Sequence, residues 1–208
     1  MDIRRATLVA LFLPALCPAQ SMHPEDLAPG KILVTPRESP DPLFSHSVIV
    51  LARYDRTGAL GLMIHFRSNL TIRQALAGIK GIDKRTDPVF VGGPVELSVV
   101  MALVRSHSQP PGASLITGNL YLMTSKESIK GLTAADSRLF VGYTGWAPGQ
   151  LDREVRRSGW YIFDYDESLV FDDHPETLWT RLIQKTGLKI AAFPYNRAGA
   201  AGSRKSWQ

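Results

Sequence analysis

The stretch Phe140-Val-Gly-Tyr-Thr-Gly-Trp-Ala-Pro-Gly-Gln-Leu-Asp-Arg-Glu-Val-Arg-Arg-Ser-Gly-Trp160 decides how the rest of the chain is read. Phe140 and Val141 close an apolar strand. Gly142 and Gly145 then bracket Tyr143 and Thr144 in what reads as a glycine-rich turn, because glycine tolerates positive φ and lets another backbone come close. Tyr143 and Trp146 carry large faces that pack on a core or line a cleft. Pro148 stands where a helix starts without losing a needed donor. Leu151 and Val155 are four apart and share one face of that helix. Gly159 ends it, and Trp160 opens the next strand. A glycine-rich turn leading into a helix is also a geometry that holds anions. The phosphate-loop run of spaced glycines followed by Lys and Ser/Thr is absent, so tight-turn geometry is the better account.

Outward from this stretch, short apolar runs alternate with turn signals. Lys31 to Thr35, Ser47 to Tyr54 and Ala59 to His65 read as strands, the last two joined as a hairpin across Asp55-Arg56-Thr57-Gly58. Thr71 is placed to cap a short helix from Ile72 to Ile79. Val89 to Val91, Val99 to Val104 and Asn119 to Met123 follow as strands, and Ser125 caps a short helix through Ile129. Downstream, Trp160 to Tyr165 and Leu169 to Phe171 read as a hairpin across Asp166-Glu167. Asp173 then caps a helix from His174 to Lys185. Glu176 completes the capping pattern, Leu178, Leu182 and Ile183 form the buried side, and Gly187 is the stop. Many strands with few helices between them predict an α+β fold: a single domain with a mixed or mainly antiparallel sheet flanked by short helices.

Three runs of the sequence resemble the YqgE/AlgH family. The first is Gly142, Tyr143, Gly145, Trp146, Pro148, Gly149, Gln150 and Leu151, followed by Glu154, Gly159 and Trp160. The second is Leu33, Val34 and Pro36 with Asp41, Pro42 and Phe44. The third is Pro88 to Val95. The resemblance implies a compact α+β domain with a large curved sheet and no settled reaction. Some members carry a label of transcriptional regulation. The chain departs from the pattern in two places. His65, Phe66 and Arg67 stand where the family has Asn-Arg-Pro, and Val99, Val100, Leu103 and Val104 stand where it often has Arg-Gly and Leu-His.

Length and composition suit one domain with tails. The formal net charge is +5. Residues 1–19 read as a secretory leader: Arg4 and Arg5, then an apolar run from Thr7 to Leu16 too short to span a bilayer, then small residues at a cleavage site after Ala19. Removing Asp2, Arg4 and Arg5 leaves +4, a mild and scattered excess. The boundaries expected are 1–19 leader, 20–29 linker, 30–187 domain and 188–208 a mobile extension. The rival account of the N-terminus takes Met22 as the true start, which makes the protein cytoplasmic; the order of charge, apolar run and small residues favours export. The sole cysteine, Cys17, lies in the leader, so the mature chain is expected to have no thiol chemistry. No membrane span is expected in it either.

No nucleophile elbow, zinc-protease histidine pair or dinucleotide fingerprint is present. Asp172, Asp173, His174 and Glu176 are metal-capable, but helix capping accounts for Asp173 and Glu176. No cofactor or metal is expected. The glycine and aromatic runs of two family motifs are expected to converge on a ligand-binding cleft lined by Gly92, Gly93, Pro94, Tyr143, Gly145, Trp146, Gln150 and Glu154. Its partner would be a small ligand or a protein; export argues against nucleic acid. Two other readings stand beside this one. An enzyme would use Glu154 with His65 or His107. A transcriptional regulator rests on the family label alone.

Overall fold

The computed structural model describes residues 20–192 apart from 40, 78–81, 83 and 126–128. The expected leader, most of the C-terminal extension and the helix after Ser125 therefore lie wholly or partly outside the described residues.

The strands are β1 (Gln20–Ser21), β2 (Ile32–Val34), β3 (Val48–Asp55), β4 (Gly58–Met63), β5 (Arg67–Thr71), β6 (Pro88–Val91), β7 (Val95–Arg105), β8 (Ser114–Thr117), β9 (Leu120–Met123), β10 (Ser137–Trp146) and β11 (Tyr161–Phe163). The helices are α1 (Ile72–Ala75), α2 (Gln150–Arg156), α3 (Glu167–Val170) and α4 (Leu178–Ala192). The strands form one curled, mainly antiparallel sheet in the order β1-β11-β2-β3-β4-β10-β7-β9-β8. β6 runs parallel to β10, and β5 pairs with β6. The fold is α+β, as the sequence pattern predicts.

β10 is the strand that unites the sheet. Its first half pairs with β7, from Ser137 opposite Val104 to Tyr143 opposite Val95. Its last three residues, Thr144 to Trp146, pair with β4. β6 and β4 thus lie end to end along one side of β10, and Met63 N–H donates to Gly92 O at 2.9 Å where they meet. The glycine run read as a turn is in fact strand as far as Trp146, with a bulge between Val141 and Tyr143. The bulge is where glycine is needed. Gly142 has φ +68°, and a Cβ there would sit 2.5 Å from Gly93 O. A Cβ on Gly93 would in turn sit 2.3 Å from the Tyr143 carbonyl group. The two glycine motifs therefore meet as two backbones crossing.

Side chains alternate cleanly where the sheet is covered on both sides. Ile32, Val34, Val48 and Val50 point to one core with Leu62, Phe140, Leu178 and Leu182. Leu33, Ile49 and Leu51 point to the other face, against Trp146, Leu151, Val155 and Trp160. A third cluster, including Ile72, Val100, Val104, Leu139 and Ile129, fills the space beneath α1.

The β3–β4 hairpin forms as expected, with Asp55 Oδ1 accepting from Thr57 N at 2.7 Å. Thr71 caps α1 reciprocally with Gln74, although the assigned helix is one turn long. Three expectations are corrected. Leu169 to Phe171 do not pair with β11: Asp166 accepts from Ser168 N at 2.9 Å and starts α3, while β11 pairs with β1 and β2. Asp173 caps nothing, because Pro175–Thr177 forms a short 3-10 turn before α4 begins at Leu178. Gly187 does not stop that helix, which continues to Ala192. β5 and β8 are strands that the sequence pattern did not mark, and residues 20–21 of the expected linker pair with β11. Among the described residues no helix is long and apolar enough to cross a membrane.

Candidate functional site

α2 is held against the sheet by its own sequence. Leu151 and Val155, four apart, are both buried under Trp146 and Trp160. The helix ends with Ser158 at φ +60°, Ser158 N donating to Val155 O and Gly159 N to Glu154 O, each at 2.9 Å. This paired closure is the Schellman arrangement. It turns the chain sharply so that Trp160 falls back beside Trp146.

The consequence is a carboxylate between two indoles. Glu154 Oε2 accepts from Trp146 Nε1 and from Trp160 Nε1, each at 2.9 Å. Glu154 Oε1 accepts from Gln150 Nε2 at 2.9 Å, and Gln150 Oε1 accepts from Ala147 N at 3.1 Å. The indoles meet edge to face, with ring centroids 6.0 Å apart. Phe44 adds a second edge contact to Trp160 at 5.9 Å. Both indoles are buried, at 6 % and 3 % exposure, so their N–H groups depend on this one acceptor. Gly61, opposite Thr144 on β4, makes room: a Cβ there would lie 3.2 Å from the Trp146 ring.

This cluster walls a cleft of about 390 Å³. The facing wall is the loop from Thr35 to Phe44, which carries Glu38, Ser39 and Asp41; Arg157 stands at the end of α2. Of the residues expected to line a cleft, Gly145, Trp146, Gln150 and Glu154 lie together here. Gly92, Gly93, Pro94 and Tyr143 do not line it. They sit at the backbone crossing of β6, β7 and β10. The Tyr143 ring packs toward Gly145, and its hydroxyl donates to Glu96 at 3.4 Å. Burial, then the Glu96 carboxylate, raises its pKa. Glu96 itself holds φ +45°, away from the usual regions for a residue with a side chain.

Sequence reasoning left Phe44, Trp160, Glu38 and Asp41 out of the site. Asp41, Phe44 and Trp160 are legible as family positions. Glu38 carries no local signal, because it reaches the cleft only through the pairing of β2 with β11.

The histidines lie elsewhere. The His65 ring is 3.2 Å from Val48 N, and burial pushes its pKa down. His107 is exposed. Neither is among the hydrogen-bond partners of Glu154. Asp172 is engaged by His174 N at 2.7 Å and by the Arg181 guanidinium. Among the described residues no group of three His, Cys, Asp or Glu side chains is placed to hold a metal ion.

Comparison with known proteins gives one consistent result. A family model described as AlgH-like matches residues 32–191. The chain is 32% identical over 191 residues to a UPF0301 protein of Anaeromyxobacter dehalogenans, covering 85% of this chain and 96% of that one. It is 33% identical over 174 residues to a UPF0301 protein of Desulfotalea psychrophila, covering 80% and 92%. Among solved structures, the AlgH protein from Pseudomonas aeruginosa superimposes with a TM-score of 0.63 at 26% identity, covering 83% of this chain and 95% of that one. A Corynebacterium diphtheriae protein shares the fold with a TM-score of 0.65 at 22% identity, covering 77% and 87%.

Proposed function

The chain belongs to the AlgH-like family, and from that premise we propose that it is a non-catalytic binding module whose ligand enters the cleft beside Trp146, Gln150 and Glu154. The observation that carries the reading is the state of Glu154. Three hydrogen bonds from fixed donors make this carboxylate a brace for two buried aromatic rings. A general acid or base needs an open path to a reacting proton and a partner tuned to the task. This carboxylate instead fixes a wall, as binding pockets with mainly apolar linings and a few set polar groups require.

The test is a stability screen of the whole protein against a library of metabolites and short peptides. A ligand present at a hundred times its Kd stabilises the fold by about 2.7 kcal/mol. For a domain of this size that raises Tm by roughly 5–10 °C. The cleft is the site if a hit also shifts the indole N–H resonances of Trp146 and Trp160. A hit that leaves both resonances unmoved, or a library that yields none, removes the reading.

A further inference from the structure

The cleft has a sign. Among the described residues Glu38, Asp41 and Glu154 line it against one cation, Arg157. Glu154 Oε2 already accepts two indole N–H groups, while Oε1 accepts only the Gln150 amide. A carboxylate offers about four acceptor positions, so the unused one is on Oε1. Asp41 accepts from Leu43 N at 2.9 Å through Oδ1, and its Oδ2 has no partner among the described residues. The aromatic side of the lining is the half-buried Phe44 ring over the largely buried Trp146 and Trp160. Carboxylate acceptors set among aromatic rings favour a planar cation that donates at its edge and stacks on its face.

Resting on the reading of this cleft as a binding site, we propose that its ligand group is a guanidinium, with an N–H donated to Glu154 Oε1 and the charge facing Glu38 and Asp41. The flat carbon of the group lies against the aromatic wall. A carboxylate or phosphate group would meet three like charges with Arg157 to offset one of them, and is disfavoured on that ground.

The experiment uses the full chain labelled with 15N and follows the Trp146 and Trp160 indole resonances. The probes are arginine blocked at both ends, its citrulline, lysine and glutamate counterparts, and ethylguanidinium. Citrulline keeps the shape and loses the charge. The expected result is saturable shifts with blocked arginine, weaker ones with lysine, and none with citrulline or glutamate. Ethylguanidinium shares the group without the backbone: tighter binding of blocked arginine places the source in a peptide, and equal binding places it in a free small cation. In the double variant Glu38→Gln/Asp41→Asn, which leaves the indole brace intact, Kd for blocked arginine is expected to rise about threefold to tenfold. If citrulline binds as well as arginine, the charge argument fails while the cleft remains a binding site. Should no probe in the panel move either indole, the inference falls, and the separate stability screen decides whether the cleft binds anything else.

Discussion

Removing the Glu154 carboxylate leaves two buried indole N–H groups without their acceptor. Each such orphan costs about 1–3 kcal/mol. Glu154→Ala is therefore expected to lose about 2–5 kcal/mol in urea unfolding, and Glu154→Gln, which keeps one carbonyl oxygen, roughly half of that. A loss below about 0.5 kcal/mol for the alanine variant would mean that the indoles find other acceptors. A second prediction at this scale concerns alkaline pH. Tyr54 donates to Asp152 at 2.8 Å, and burial followed by that hydrogen bond pushes its pKa up to about 12 from 10.0. The folded value lies above the unfolded one. The contribution is thus whole below pH 10.0 and is lost as pH rises toward about 12. The unfolding free energy measured across that window should fall less steeply in Tyr54→Phe than in the parent; identical slopes would refute the coupling.

Elements show which signals in the chain were local. The β3–β4 hairpin and the Thr71 cap were legible because Asp55-Arg56-Thr57-Gly58 and Thr71 with Gln74 are complete within a few residues. The pairing of Leu151 with Val155 was legible for the same reason. β5 and β8 were not, since exposed polar edge strands such as Arg67-Ser68-Asn69-Leu70-Thr71 show no apolar alternation. The Gly142–Trp146 run reads locally as a turn because Gly142 answers to Gly93, about fifty residues away, and no local pattern reports such a crossing. Two substitutions separate the backbone conformation from the crossing. Gly142 at φ +68° and Gly131 at φ +83° both sit in left-handed geometry, but a Cβ on Gly131 meets nothing within 4 Å. Gly131→Ala is expected to cost about 1 kcal/mol and Gly142→Ala about 3 kcal/mol or more, read by equilibrium unfolding. Equal costs would show that the close approach to Gly93 carries no weight.

At the scale of the molecule, two arginines from the sheet hold the α3–α4 segment. Arg67 and Arg138 donate to the carbonyls of Asp173 and Asp172, and the Arg138 guanidinium lies 4.9 Å from the Phe90 ring and 5.8 Å from Phe171. Arg138 is buried at 9 % exposure, which lowers its pKa to about 10, and its Nη1 has no partner among the described residues. A buried charge with an unmet donor is a poor source of stability. Arg138→Met should stay within about 1 kcal/mol of the parent, while Arg138→Ala, which leaves a cavity, should lose about 3 kcal/mol. A large loss in the methionine variant would show that the charge itself fastens the helices. The central position of β10 has a further consequence. A chain cut before Gly131 yields one piece with β1 to β9 and another with β10, α2, β11, α3 and α4. The first piece has a gap between β4 and β7 and another between β1 and β2, and the second brings the two missing strands. Each alone should stay unfolded by circular dichroism, and mixing them should restore the native spectrum, which makes this fold a natural candidate for fragment complementation.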